Sequence, residues 1–181
     1  MSRCAFFLIF LVMPYSHQAQ AKTPKDMRKS AQDFVRQFYN WYVSVAFKEN
    51  TGPPSDLALK SRSYVFSRKL FRALKKDSDA SKKASGEIVG LDFDPFLASQ
   101  DPGKRYQVGK VTREGNSYRV EVFGVWSGKK SEKADVVPEV MRKKGRWLFV
   151  NFHYPNAVDA KSENLLGILN VLLHERQAGT K

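Results

Sequence analysis

The sequence predicts an α+β fold in one domain: helices first, then a curved antiparallel sheet of about four strands, then a final helix. Three patterns carry this. Apolar residues recur every three or four positions from Met27 to Ala46. From Tyr106 to Tyr154 they alternate between turn signals instead, and a leucine-rich run returns at Leu165–Leu173. Segregated helices and strands of this kind give α+β layering rather than α/β. The expected shape is a cone, with the long aromatic first helix lying across the concave face of the sheet.

The first helix starts at Thr23-Pro24-Lys25-Asp26, with Thr as cap, Pro at the first helical position and Asp three residues after the cap. Its stripe runs through Met27, Ala31, Phe34, Val35, Phe38, Tyr42, Val45 and Ala46. Tyr39, Trp41 and Val43 fall off the stripe, so more than one side is expected to be covered. Asn50-Thr51-Gly52-Pro53-Pro54 ends it. A short helix follows over Leu57 to Lys60. Ser67 caps a second long helix carrying Leu70, Phe71 and Leu74, which ends near Asp79 or a few residues later.

Tyr106 to Thr112 reads as a strand, and Glu114-Gly115-Asn116 as a hairpin turn. In Tyr118 to Trp126, Tyr118, Val120, Val122 and Trp126 face one way, against Arg119, Glu121, Phe123 and Val125. Both sets contain apolar residues, so the strand is expected to be central. Ala134 to Arg142 gives a third strand, with Pro138 marking an edge or a bulge. In Trp147 to Tyr154, Trp147, Phe149, Asn151 and His153 share one face. Ser162 is expected to cap the last helix, Glu163 to about Arg176.

A segment before the first helix reads as an export signal. Arg3 precedes the unbroken apolar run Cys4–Met13, and Ala19-Gln20-Ala21 follows with the small-x-small pattern of a signal-peptidase site. That run is too short to span a bilayer as a helix, which takes roughly 20 residues. Residues 1–21 are therefore expected to be a signal peptide and 22–181 a single domain. Cys4 is the one cysteine of the chain, so the mature domain has no disulfide, thiolate-metal or thiol-nucleophile chemistry. Localisation in a bacterial periplasm or the medium is expected.

The chain has 31 Lys and Arg against 18 Asp and Glu, a net charge of +13. The excess is concentrated. Residues 60–83 hold nine basic and two acidic side chains, and residues 129–146 hold seven and three. Residues 86–101 hold four acidic side chains and no basic one. Arg68, Lys69, Arg72, Lys75 and Lys76 fall on one exposed helix face, which suits either plain solvation or an anionic surface.

The segment Gly90-Leu91-Asp92-Phe93-Asp94-Pro95-Phe96, followed by Gln100-Asp101, resembles a family of exported bacterial proteins of uncharacterised function. The likeness continues in Phe38-Tyr39-Asn40-Trp41-Tyr42, in the strand from Trp147 to Tyr154 and in Asn164-Leu165-Leu166, covering most of residues 30–173. The element order is similar to the nuclear transport factor 2-like superfamily. The resemblance implies that cone fold and export. It implies no particular reaction, because that superfamily hosts both enzymes and binding domains.

Candidate chemistry is sparse. Asp92, Asp94 and Asp101 suit loop capping, oxygen ligation of a cation, or acid–base work, but the EF-hand spacing is not met. His153 can act as a general base if Asp92 or Asp94 orients it. His174 reads as a surface group near a helix end. No zinc spacing, phosphate loop or nucleophile elbow is present, and no cofactor is implied. Trp41, Trp126, Phe149 and Asn151 are candidates to line a ligand cavity, the alternative for the aromatics being core packing. The sequence therefore favours a non-enzymatic module that binds a small molecule or a protein. The alternatives are a small hydrolase or isomerase using an Asp/His pair, and polyanion or membrane-surface binding. A homodimer is compatible with all three.

Overall fold

The computed structural model describes residues 23–47, 52–84 and 90–178. The apolar run, Cys4 and the expected cleavage site lie outside these residues. The fold is α+β. Helices α1 (Pro24–Ala46), α2 (Pro54–Ser61) and α3 (Arg68–Lys83) precede strands β1 (Tyr106–Glu114), β2 (Ser117–Trp126), β3 (Lys129–Lys130), β4 (Val137–Lys143) and β5 (Arg146–His153). Helix α4 (Leu165–Ala178) closes the chain. The sheet is antiparallel in the order β1-β2-β4-β5, with the short β3 paired to the far end of β2.

Helix α1 starts with the expected reciprocal cap. Asp26 N donates to Thr23 Oγ1, and Thr23 N donates to the Asp26 carboxylate. Ser67 Oγ likewise accepts from Leu70 N at the start of α3. Three tight hairpin turns fall at Gly115-Asn116, Ser127-Gly128 and Lys144-Gly145, where Gly115, Ser127, Gly128, Lys144 and Gly145 take the positive φ such turns need.

The space between α1 and the sheet is filled by rings. Phe38 stacks on Tyr42 with centroids 5.4 Å apart and meets Phe149 at 4.7 Å. Phe66 stacks on Phe96, and Phe149 on Phe152. Tyr39 is buried beside them, as its off-stripe position requires. Burial of such side chains is the main favourable term in folding.

Four expectations change. Phe149 pairs with Val140 while Asn151 pairs with Glu139, so Val150 is an extra residue in the ladder. That bulge breaks the alternation. Phe149 and Phe152 both point into the core, and Asn151 and His153 leave the face assigned to Phe149. Trp126 lies on the side of Tyr118, Val120 and Val122 but past the end of the buried part, where it is 45% exposed. Asn164, not Ser162, caps α4: its Oδ1 accepts from Gly167 N. Pro138 sits in an inner strand, and the β2–β4 ladder lapses around it between Arg119–Glu139 and the single Val122–Val136 bridge.

The free edge of β5 is covered. Ser67 N donates to the Phe149 carbonyl, and Tyr154 N to the Glu163 carbonyl. These bonds fix the starts of α3 and α4 against the same strand and leave little edge for another chain.

Candidate functional site

The segment Leu91–Gln100 is held by four tyrosines, two from α1, one from β1 and one directly after β5. Asp94 sits at its centre. One carboxylate oxygen, Oδ1, accepts from Phe96 N at 2.9 Å and Leu97 N at 3.1 Å, forming a capped turn. The other, Oδ2, accepts from the Tyr42 hydroxyl at 2.7 Å. Three successive carbonyls then accept from tyrosine hydroxyls: Pro95 from Tyr154, Phe96 from Tyr39 and Leu97 from Tyr106. Burial pushes the Asp94 carboxyl above the usual carboxylate range, and the Tyr42, Phe96 and Leu97 donors offset only part of this. Burial also raises Tyr39, Tyr42 and Tyr154 well above an ordinary phenol, so all three remain donors at any working pH.

Beside this segment lies a cleft of about 750 Å³ between the end of α1, α2, α3 and residues 91–102. Leu59, Leu74, Leu91 and Phe93 give it apolar walls, and Asp56, Asp77, Asp92 and Asp94 give it carboxylates. Asp56 pairs with Lys82 at 2.8 Å, and Asp77 with Arg176 at 2.8 Å. Asp92 is exposed and accepts from Gln100 Nε2 at 3.2 Å, which ties the two acidic parts of the segment together. Among the described residues no group of three His, Cys, Asp or Glu is poised to hold a metal ion.

His153 is not brought to Asp92 or Asp94. Its Nε2 lies 2.9 Å from Glu139 Oε2, a partner that the alternation between neighbouring strands did not single out. Burial pushes Glu139 up, but His153, Ser117 and Arg119 outweigh it and hold the carboxyl below the ordinary glutamate range. The Glu139–His153 pair occupies the sheet face turned away from Phe152 and Phe149, whereas Asp94 belongs to the ring-filled side. The expected Asp/His acid–base pair is therefore not assembled.

The other expected ligand contacts are dispersed. Phe149 is fully buried in the ring cluster. The Trp41 indole lies under the Arg62 guanidinium, 4.3 Å from its centroid. Trp126 packs its ring on the backbone of Gly103. Asn151 serves α4: its Oδ1 accepts from Leu166 N and its Nδ2 donates to Asn164. Arg68, Lys69, Arg72, Lys75 and Lys76 are all exposed on α3, as expected, and Lys75 pairs with Asp79. The second basic segment divides. Lys129 and Lys130 lie beside the end of β2, while Lys143, Lys144 and Arg146 lie at the opposite end of the strands.

Asp77, Glu139 and the tyrosine clasp escape a reading of the sequence. Only Tyr39 and Tyr42 leave a trace there, as neighbours three apart on one helix.

No family model matches the chain, and no curated protein matches it. Among solved structures, a protein of unknown function from Bacteroides thetaiotaomicron is similar at 16% identity with a TM-score of 0.49. The match covers 71% of this chain and 92% of that one.

Proposed function

We propose that the chain is an exported, non-catalytic binding domain with a nuclear transport factor 2-like fold, and that the cleft beside Asp94 takes a small organic ligand with an apolar body and a cationic group. The cleft itself carries the reading: in a space of about 750 Å³, apolar walls that include Leu59, Leu74, Leu91 and Phe93 stand beside the exposed Asp92 carboxylate, while Asp56, Asp77 and Asp94 are already held by Lys82, Arg176 and Tyr42. That volume lies within the roughly 300–1,000 Å³ range of small-molecule sites. Export rests on Arg3, the run Cys4–Met13 and Ala19-Gln20-Ala21; the superfamily rests on the order of helices and strands. The separation of His153 from Asp94 favours binding over acid–base turnover.

The test is a screen of residues 22–181 against arylalkyl amines, which are cations at neutral pH, with the matching arylalkyl carboxylates alongside, read by thermal shift and NMR. Amine-selective binding is expected, and Ser55→Trp at the lip of the cleft should abolish it without unfolding the domain. Binding indifferent to Ser55→Trp, or selective for the carboxylates, overturns the assignment of the site. Turnover that disappears in a folded His153→Ala variant overturns the non-catalytic reading.

A further inference from the structure

A second groove lies on the other flank of α3, against α4, and holds about 380 Å³. Its floor is Ala73, Leu166, Leu169 and Leu173, and Lys69 and Lys76 stand on its α3 rim. Arg176, bonded to Asp77, closes one end. This apolar slot runs alongside the basic stripe of α3. At 100° per residue, Arg68, Lys69, Arg72, Lys75 and Lys76 occupy an arc of about 120° and a length of about 12 Å. Lys75 is neutralised by Asp79, whereas Arg68, Lys69, Arg72 and Lys76 make no ion pair among the described residues.

The stripe is costly to the helix that carries it. Arg68 and Lys69 begin α3, whose first turn has no acidic residue, so both sit at the positive end of the helix dipole. Arg68–Arg72 and Arg72–Lys76 are like-charge pairs four residues apart, a destabilising arrangement. A surface that serves only solubility does not need cations at these positions.

We propose that the α3–α4 face docks onto an anionic lipid bilayer: Lys69 and Lys76 take one headgroup, the first part of its acyl chain enters the slot over Ala73, Leu166 and Leu173, and Arg68 and Arg72 meet neighbouring headgroups. Two features select lipid over a nucleic-acid strand. The cations border an apolar slot rather than a row of exposed rings on which bases would stack. They also lie on one convex helix face, suited to a plane of charge rather than to a strand in a groove. A juxtaposed apolar element and basic patch supply the two signals that stable peripheral attachment needs.

The experiment uses residues 22–181 with vesicles of phosphatidylcholine alone or with phosphatidylglycerol, read by co-sedimentation. Binding is expected only with phosphatidylglycerol, and it should weaken steeply as salt rises. A Lys or Arg near an anionic surface contributes about 1 kcal/mol, so Lys69→Gln, Arg72→Gln and Lys76→Gln together should weaken binding on the order of 100-fold. Leu173→Asn should weaken it with every cation in place. Equal binding to both vesicles overturns the proposal, as does wild-type affinity in the folded triple variant. Tighter binding to single-stranded DNA than to phosphatidylglycerol vesicles overturns it in favour of a polyanion surface. Affinity for a free lysophospholipid without vesicle binding overturns the docking surface. The groove lies apart from the Asp94 cleft, so Ser55→Trp is expected to leave vesicle binding unchanged.

Discussion

Three neutral donors hold the Asp94 carboxylate, and among the described residues no cation pairs with it. This buried charge is tolerated because both oxygens are satisfied. Asp94→Ala removes the acceptor from two backbone N–H groups and from the Tyr42 hydroxyl, so about 3 kcal/mol of stability should be lost in urea denaturation. Asp94→Asn keeps an oxygen for Phe96 N and Leu97 N and presents an NH₂ to Tyr42, so its loss should be well under half as large. The pH dependence separates charge from shape. A carboxyl raised by burial binds its proton more tightly in the folded state than in the unfolded one. Its contribution to stability is present at low pH and is lost as pH rises through the folded-state value. The neutral Asn lacks that loss. The stability of Asp94→Asn relative to wild type should therefore improve from pH 4 to pH 7, and a constant difference would count against a buried, charge-costly carboxylate.

At the scale of elements, Asp77 joins α3, α4 and the strand-entry segment. Its Oδ1 accepts from Arg176 of α4 at 2.8 Å and its Oδ2 accepts from Leu91 N at 3.1 Å. A Cβ at Gly90 would stand 2.1 Å from Ser81 Oγ and 3.0 Å from Asp77 Oδ2, so a side chain there would have to turn the Ser81 hydroxyl aside and crowd Asp77. The Asp77 carboxylate is 7% exposed and the Arg176 side chain 20%, so removing one partner strands the other. Asp77→Ala should cost about 3 kcal/mol, and hydrogen exchange should show α4 amides losing protection before those of the sheet. Equal loss across both would mean that Asp77 does not anchor α4 in particular. None of this is legible in the sequence, because Asp77 lies among lysines and its partner is 99 residues away. What was legible was local. Thr23-Pro24-Lys25-Asp26 and Ser67 announce helix starts because the cap and its donor are three residues apart. Gly115 announces a hairpin because its turn demands positive φ. The Val150 bulge was not legible, because register is decided by how β4 meets β5, and it moved Phe152 into the core against the alternation. For the same reason the sequence marked Asp94 and His153 as candidates but could not place them on different sides of the sheet.

Over the whole molecule, charge is sorted by side. The cleft with Asp56, Asp77, Asp92 and Asp94 lies on one flank of α3, and the groove with Lys69 and Lys76 on the other. The net charge of +13 is thus a local excess rather than a general one. The second basic segment is divided between the two ends of the sheet. If the stripe exists for docking, stability and attachment must oppose each other at one residue. Arg72 is the place to look, since it lies four residues from both Arg68 and Lys76. Arg72→Glu turns two repulsive pairs into attractive ones, each worth about 0.2–0.5 kcal/mol, and lowers the self-repulsion of the chain. Its melting temperature should rise by about 2–4 °C at low salt, and the gain should shrink as salt screens the charges. The same variant should lose most of its affinity for phosphatidylglycerol vesicles. A rise in melting temperature with vesicle binding intact would leave the stripe as solvation alone. A fall in melting temperature would mean that Arg72 supports α3 through its aliphatic stem rather than straining it through its charge.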